Sequence, residues 1–365
     1  MPADKENSTP KLGKGSLKPT AGRQGRADPD PHRPHPLSAV LQALRGAAAP
    51  ISGEALAAEL GLSRGAVWKR INRLKALGYG IEGSPRRGYR LLAIPDKLLP
   101  EEICQGLHTR FLKGPVHHFE TLASTNDLAK ELGARGAPQG TLVVAEAQTR
   151  GRGRLGRHWD SPAVAGLYVS LLLRPPLPPG ELPQITLTTA VAVVRALRRA
   201  TGLTPGIKWP NDLLLNGRKM GGILTEMESE SDQIRHLVVG LGLNVNNIRF
   251  PAELKTTATS LALEAGRPFS RLEILKAWLE EFEDLYDRFL ARQFPAILAE
   301  WQTYAVTLGQ EVRVRQGAVE ICGKALKVAA DGALLVQTLT GEIVKVTSGE
   351  IVPAPGPGPG NEIPS

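Results

Sequence analysis

Two cysteines, Cys104 and Cys322, are too few and too far apart for a disulfide framework or a thiolate zinc site. No apolar run approaches the roughly 18 residues of a membrane span. The first residues are polar and proline-rich and lack the apolar stretch of a secretory signal. No internal repeat is visible. A soluble, cytoplasmic protein is therefore expected, and 365 residues suffice for two or three domains with sizeable cores.

The formal net charge of +9 is unevenly placed. Residues 1–35 hold seven Lys/Arg against four Asp/Glu, residues 36–93 hold nine against three, and the rest balance. A compact basic segment ahead of a neutral body predicts a nucleic-acid module joined to something else. Residues 1–35 are nearly devoid of apolar side chains, and 353–365 contain Pro353-Ala-Pro-Gly-Pro-Gly-Pro-Gly360. Both tails are expected to be disordered.

Residues 36–93 read as three helices and a hairpin. A short amphipathic segment spans Leu37–Leu44; a second helix starts after Ser52 and stops at Gly61; a third starts after Ser63 and runs to Leu77, with Gly78 as its stop. Val67, Ile71 and Leu74 share one face of the third, while Gly65, Lys69, Asn72 and Arg73 point away. Two strands around Ile81 and Tyr89–Leu92 enclose the basic wing Gly83–Gly88. Such a pattern is a winged helix-turn-helix. The residues expected at DNA are Arg64, Lys69, Arg70 and Arg73 on the helix, with Arg86 and Arg87 on the wing. A helical adaptor with a solvated basic face is the plainer alternative, which the wing beside the basic helix disfavours.

The central body, about 98–304, mixes helices with a largely antiparallel sheet, an α+β pattern. Strands are expected at Thr141–Ala145, Gly166–Leu173 and Leu237–Val245, with helices at Ile185–Thr201 and Arg271–Arg292. A hairpin joins Leu213–Leu215 to Gly222–Glu226 through Asn216-Gly217. Residues 306–352 change to short alternating strands, at 311–315, 320–321, 324–329, 333–337 and 342–346, and are expected to form a small β-barrel.

The most informative stretch is Gly151-Arg152-Gly153-Arg154-Leu155-Gly156-Arg157-His158-Trp159, joined at a distance by Lys208-Trp209-Pro210-Asn211-Asp212. Four arginines, counting Arg150, and three glycines beside a tryptophan can bring guanidinium forks and backbone N–H groups to a polyanion. Gly151, Gly153 and Gly156 also satisfy a dinucleotide fingerprint, but no helix opens at Gly156 and no acidic residue follows about twenty positions on. Phosphate chemistry outside a Rossmann fold is the reading, against a basic surface loop with no ligand.

With these segments in place the chain resembles the bifunctional biotin–protein ligases that double as biotin operon repressors. The likeness covers roughly residues 37–352. Its landmarks, in order, are Ser124-Thr125-Asn126, Gln148 with Gly151–Trp159, Lys208–Asp212, Arg218–Leu224 and Gly240–Asn244. The resemblance implies a biotin/lipoate ligase-like catalytic domain between a winged helix and an SH3-like barrel. It implies biotin and ATP as substrates, with Mg²⁺. It also implies biotinyl-5′-AMP as intermediate, and a lysine of the biotin carboxyl carrier protein of acetyl-CoA carboxylase as acceptor. Operator DNA of biotin genes and a ligand-promoted homodimer follow from the same likeness, with no membrane partner.

Residue chemistry agrees with it. Arg152, Arg154 and Lys208 can neutralise a carboxylate brought against a phosphate. Ser124, Thr125, Asn126 and Gln148 offer donors and acceptors to a ureido ring, and the first three also suit a helix cap. Trp159 can hold the valeryl chain. By resemblance Arg152, Gly153 and Arg154 line the biotin and adenylate site, Lys208 touches the reacting groups, and Asn211 and Asn244 belong to the same site. Asp212 either helps to hold Mg²⁺ or caps the hairpin. One departure stands out. The family's loop after the Gly-x-Gly-x-Asn strand carries an aromatic residue near its end; here it ends Thr256-Thr-Ala-Thr-Ser260, and its only aromatic is Phe250. A lipoate-type acyl ligase is not expected to carry these arginines or a winged helix. A ligase whose winged helix no longer regulates remains open.

Overall fold

The computed structural model describes residues 37–84, 87–112, 114–230 and 232–352. Both tails and Arg86 lie outside the described residues.

Helices α1 (Ser38–Gly46), α2 (Gly53–Leu60) and α3 (Arg64–Ala76) and strands β1 (Gly80–Ser84) and β2 (Gly88–Ala93) form the winged helix. The caps are those read from the sequence. Ser52 Oγ accepts from Ala55 N at 3.0 Å and Ser63 Oγ from Ala66 N at 3.2 Å, while Gly61 ends α2 in the left-handed region at φ 63°. The helix α1 extends two residues beyond Leu44, to Gly46. Val67, Ile71 and Leu74 are buried against Val40, Leu41 and Leu56. Ile51, between α1 and α2, pairs with Tyr89 and adds a third short rung to the wing.

The body follows with α4 (Pro100–Cys104), β3 (Val116–Leu122), α5 (Thr125–Ala134), β4 (Leu142–Gln148), β5 (Gly166–Leu173) and α6 (Leu182–Thr201). Then come β6 (Gly206–Lys208), β7 (Asp212–Leu215), β8 (Arg218–Glu230), β9 (Gln233–Asn244), α7 (Leu261–Ala265), α8 (Arg271–Leu290) and α9 (Phe294–Tyr304). Seven strands form one sheet in the order β3-β4-β5-β9-β8-β7-β6. Only β3–β4 is parallel. Every residue of β5 is buried, because helices cover both faces. Val143, Leu172 and Val238 meet α5 through Ala129. Val144, Leu171 and Val239 belong to the larger core with α6, α8 and α9. The hairpin at Asn216-Gly217 has φ of 49° and 76°, the two positive values that an Asn-Gly two-residue turn supplies.

The last segment holds β10 (Glu311–Gln316), β11 (Val319–Val328), β12 (Leu334–Thr338), β13 (Ile343–Val346) and β14 (Glu350–Val352). Two strands expected at 320–321 and 324–329 are one. The expected break falls at Cys322-Gly323, but β11 runs through it: Gly323 packs against β12, where a Cβ would lie 2.1 Å from Gln337 O. The expected small barrel is an antiparallel sheet of order β13-β12-β11-β10-β14, with β13 and β14 as short edges that do not pair with one another among the described residues. Its buried face joins the body core, and Trp209, only 2% exposed, donates its indole N–H to Gly332 O at 3.0 Å across the joint.

Winged helix and body meet through neighbouring residues of one segment. Leu98 is buried in the body core and Leu99 in the winged-helix core. Around them two carboxylates are buried with partners. Glu102 on α4 accepts from Arg45 of α1 at 2.7 Å and from the Tyr79 hydroxyl at 2.5 Å. Glu146 on β4 accepts from Leu98 N and Arg271 at 2.8 Å and lies 3.1 Å from His118 Nε2. Burial alone would raise the Glu146 carboxyl, but these partners hold it down at about 2.

Candidate active site and nucleic-acid face

A cavity of about 590 Å³ opens over the sheet between β5, β9 and β8. Ser124, Thr125, Asn126 and Gln148 line it together with Arg152, Gly153, Arg154 and Trp159 of the arginine loop. Lys208, Asn211, Asp212 and Asn244 complete the set, so every binding residue expected from the sequence faces the same space.

The loop is shaped by its glycines. At Gly151 a Cβ would lie 2.6 Å from both Trp159 O and Ser161 Oγ, so the chain crosses itself there only without a side chain. Gly156 takes φ 72°, as a turn returning the chain to Trp159 requires. Gly153 N then donates to Arg157 O and Trp159 N to Gly151 O, closing the loop on itself. Gly240 and Gly242 of β9 serve the cavity in the same way. A side chain at Gly240 would take the place of the Asn126 amide, and a Cβ at Gly242 would lie 2.8 Å from the Trp159 ring.

The polar end has a defined polarity. Ser124 Oγ accepts from Asp127 N at 3.3 Å, capping α5, and its own O–H is left to donate. Gln148 Oε1 accepts from Thr125 N at 2.8 Å, and one of its amide hydrogens goes to Ser161 Oγ at 3.1 Å. Capping and cavity lining thus coexist at the Ser-Thr-Asn segment.

The cations divide into two groups. Arg152 is committed: its guanidinium reaches Glu226 at 2.9 and 3.0 Å and Asp127 at 2.6 Å. Lys219 pairs with Asp212 at 2.6 Å and sits 5.7 Å from the Trp159 ring centre. Arg154, by contrast, donates to two neutral oxygens, Asn211 Oδ1 and Gly349 O, both at 3.2 Å. Burial lowers its pKa against the opposing pull of Asp212 and Glu350. Lys208 makes no ion pair with any described carboxylate and is half-buried. Two cations in the cavity are therefore without an ion pair to any described carboxylate. That is the condition for holding a phosphate.

Asp212 faces Lys219 rather than a second carboxylate, and no group of three or more His, Cys, Asp or Glu among the described residues could hold a metal. The donor set does not fit a metal held by protein groups alone. Asn244 uses its amide to hold Thr259 O at 3.1 Å, and Lys219 exchanges backbone bonds with Thr257 and Thr259 at 2.8 and 2.9 Å. Together they fasten the 246–260 loop along the cavity, with Phe250 on its wall.

Sequence reasoning missed four contributors. Lys219 stood inside a landmark without a role, and Glu226 ended an expected strand. Gly349 and Glu350 bring the C-terminal sheet to the cavity, where Glu350 pairs with Arg157. Local pattern gives no signal for partners about two hundred residues apart.

On the winged helix Arg64, Lys69 and Arg73 are exposed, Arg70 is half-buried and Arg87 is exposed at the wing. None forms an ion pair with a described carboxylate, whereas most body arginines do. Trp68, 58% exposed, lies on the same outer face of α3.

Fold and site together define an acyl ligase of the biotin/lipoate type joined to a DNA-binding module. A family model described as the Biotin/lipoate A/B protein ligase family matches residues 118–244, an HTH domain model matches 37–90, and a Biotin protein ligase C terminal domain model matches 307–352. The bifunctional ligase/repressor BirA of Bacillus subtilis (strain 168) is 43% identical over 303 residues, spanning 82% of this chain and 93% of that protein. The bifunctional ligase/repressor BirA of Escherichia coli (strain K12) is 30% identical, spanning 78% and 88%. The structure of biotin protein ligase from Aquifex aeolicus in complex with biotin and ATP matches with a TM-score of 0.57 at 32% identity, covering 65% of this chain and 97% of that one. The chain belongs to the family of bifunctional biotin ligase/repressors.

Proposed function

We propose that this protein joins biotin to ATP as biotinyl-5′-AMP and passes the biotinyl group to a lysine of a biotin carboxyl carrier protein. The observation that carries the reading is a pair of cations, Lys208 and Arg154, that form no ion pair with a described carboxylate and line the same cavity as the hydroxyls and carboxamides of Ser124, Thr125, Asn126 and Gln148. A biotin carboxylate oxygen attacks the α-phosphorus of ATP and pyrophosphate leaves. Two anions meet in that step, and Lys208 and Arg154 relieve their repulsion as charge shifts onto the phosphoryl oxygens. Arg154 is pre-oriented by Asn211 and Gly349, so little reorganisation is needed.

The ureido carbonyl fits the free Ser124 hydroxyl, and the valeryl chain lies against Trp159. Adenine takes the side of the fastened loop, where Phe250 is the aromatic on the wall. The acceptor amine then attacks the acyl carbon and AMP leaves. A cavity that excludes water protects the anhydride until then. Among the described residues no cluster holds magnesium by protein groups alone.

The winged helix makes the same molecule a repressor. When no acceptor remains, the adenylate stays bound, favours a homodimer, and sets two α3 helices on operator DNA of biotin genes. The bases of this reading are the unpaired cations of α3 and the wing, and both activities belong in the cytoplasm. Incubating the purified chain with carrier protein, ATP and labelled biotin tests the ligase. Transfer to the carrier is expected; transfer of lipoate but not biotin would overturn the assignment.

A further inference from the structure

Glu226 on β8 gathers donors from α5 and from the arginine loop around one carboxylate. Asn126 Nδ2 donates at 2.8 Å, Lys130 Nζ at 3.0 Å, and Arg152 through both terminal nitrogens at 3.0 and 2.9 Å. Burial alone would raise this carboxyl, but Arg152, Asn126 and Lys130 outweigh it and keep the group ionised. The remaining Asn126 amide hydrogen goes to Leu224 O at 3.2 Å, and Asn126 Oδ1 lies 2.5 Å from Ser170 Oγ. Both N–H bonds of the amide are thus spent within the protein. One lone pair on Oδ1 is left over. Turning the amide over would aim Oδ1 at the Glu226 carboxylate and at a carbonyl oxygen, acceptor against acceptor, in a place where Asn126 is 5% exposed.

We propose that Glu226 is a specificity-determining positioning residue: by holding the nitrogen of the Asn126 amide, it fixes the amide oxygen as an acceptor for a ligand N–H. The cavity thereby selects a cyclic urea over acyl chains that carry no N–H. The inference rests on the biotin reading given above. A lipoyl or octanoyl chain would leave the second lone pair of Oδ1 unused, with the Ser170 hydroxyl its one donor, and sites built to hydrogen-bond a substrate reject analogues lacking the group far more strongly than apolar pockets reject a methylene. Arg152 and Lys130 have their part in this. They neutralise Glu226, so that a carboxylate can sit behind a binding wall without itself demanding a ligand proton.

The test is biotin binding by calorimetry on the full chain without ATP, which separates recognition from chemistry. Glu226→Ala, Asn126→Ala and the double variant form a cycle. Glu226→Ala is expected to weaken biotin by about tenfold or more, as loss of a hydrogen bond to a charged group does. In the Asn126→Ala background the same change should add less than about twofold, because its route of action is gone. Equal effects in both backgrounds would overturn the proposal and leave Glu226 a general support for the arginine loop.

A second pair keeps the question open to refutation if Glu226→Ala unfolds. Asn126→Asp sets two carboxylates together and should abolish measurable binding. Adding Glu226→Gln replaces the second carboxylate with an amide donor, while Leu224 O stays opposed to an oxygen of the introduced carboxylate, and should bring binding back to a measurable level, weaker than wild type. No recovery in a variant that melts normally would overturn the inference. Failure of the wild-type chain to bind biotin at all would instead count against the proposed function.

Discussion

Replacing Lys208 by alanine should slow adenylate formation while leaving biotin recognition nearly intact. Lys208 closes β6 at the cavity wall, and it forms no ion pair with a described carboxylate. A unit charge about 4 Å from a phosphoryl oxygen is worth about 4 kcal/mol at an effective dielectric of about 20. Part of that is already felt in the ground state, and measured losses of a single electrostatic donor to a developing oxyanion run to about 10²–10³ in rate. We therefore expect Lys208→Ala to lower biotin-dependent pyrophosphate exchange by about 10²–10³, with biotin affinity changed by less than about fivefold. Lys208→Arg should recover part of the rate, since charge is kept but its position is not. The assay is exchange of labelled pyrophosphate into ATP beside calorimetric biotin binding on the same preparation. An unchanged exchange rate would remove Lys208 from the reacting end. A parallel collapse of biotin binding would place it at the wrong end of the cavity.

Gly242→Ala puts a methyl group 2.8 Å from the Trp159 ring, so the ring must move or the strand must yield. Overpacking of this kind costs about 1–3 kcal/mol, and biotin affinity should fall with the melting temperature. An unaffected affinity would mean that Trp159 does not wall the biotin end. Lys69→Ala, Arg73→Ala and Arg87→Ala should each flatten the salt dependence of operator binding, measured with biotin and ATP present. The log–log slope should change by about 0.9 for every phosphate that the side chain no longer neutralises. Three unaltered slopes would move the DNA face elsewhere. Because the Glu146 carboxyl is depressed from 4.5 to about 2, its contribution to stability is complete above pH 4.5 and is lost as pH falls toward 2. Acid titration of Glu146→Gln should begin from lower stability at neutral pH and fall less steeply in that window. An acid limb as steep as the wild type's would show that the loss comes from other groups.

The winged helix was legible because its signals are local: Ser52, Ser63 and Gly61 mark helix ends by their own chemistry, and period and charge mark the faces between them. The arginine loop and the Lys-Trp-Pro-Asn-Asp segment were legible as residue types suited to phosphate. Which cations would be free was not. Arg152 and Arg154 are two residues apart and chemically identical, yet one is tied to Glu226 and Asp127 while the other meets only neutral oxygens. That difference is made by β8 and by Gly349, distant in sequence and visible only once the sheet is assembled. The break misread in β11 has a similar origin. The glycine at 323 reads as a strand breaker, yet its missing side chain is what lets β11 lie close against Gln337 of β12, a neighbour a single sequence does not show.

The seam at Leu98 and Leu99 has a consequence for DNA. A binding head on a slack tether can rotate to meet half-sites at many separations. Here adjacent leucines are plugged into two different cores, and the Glu102 carboxylate is clasped from the head by Arg45 and Tyr79. Pitch and azimuth of α3 are thereby slaved to the ligase body. On the proposed pairing of two such molecules, their α3 helices would stand at one spacing, and that spacing would fix the separation of the half-sites they can read.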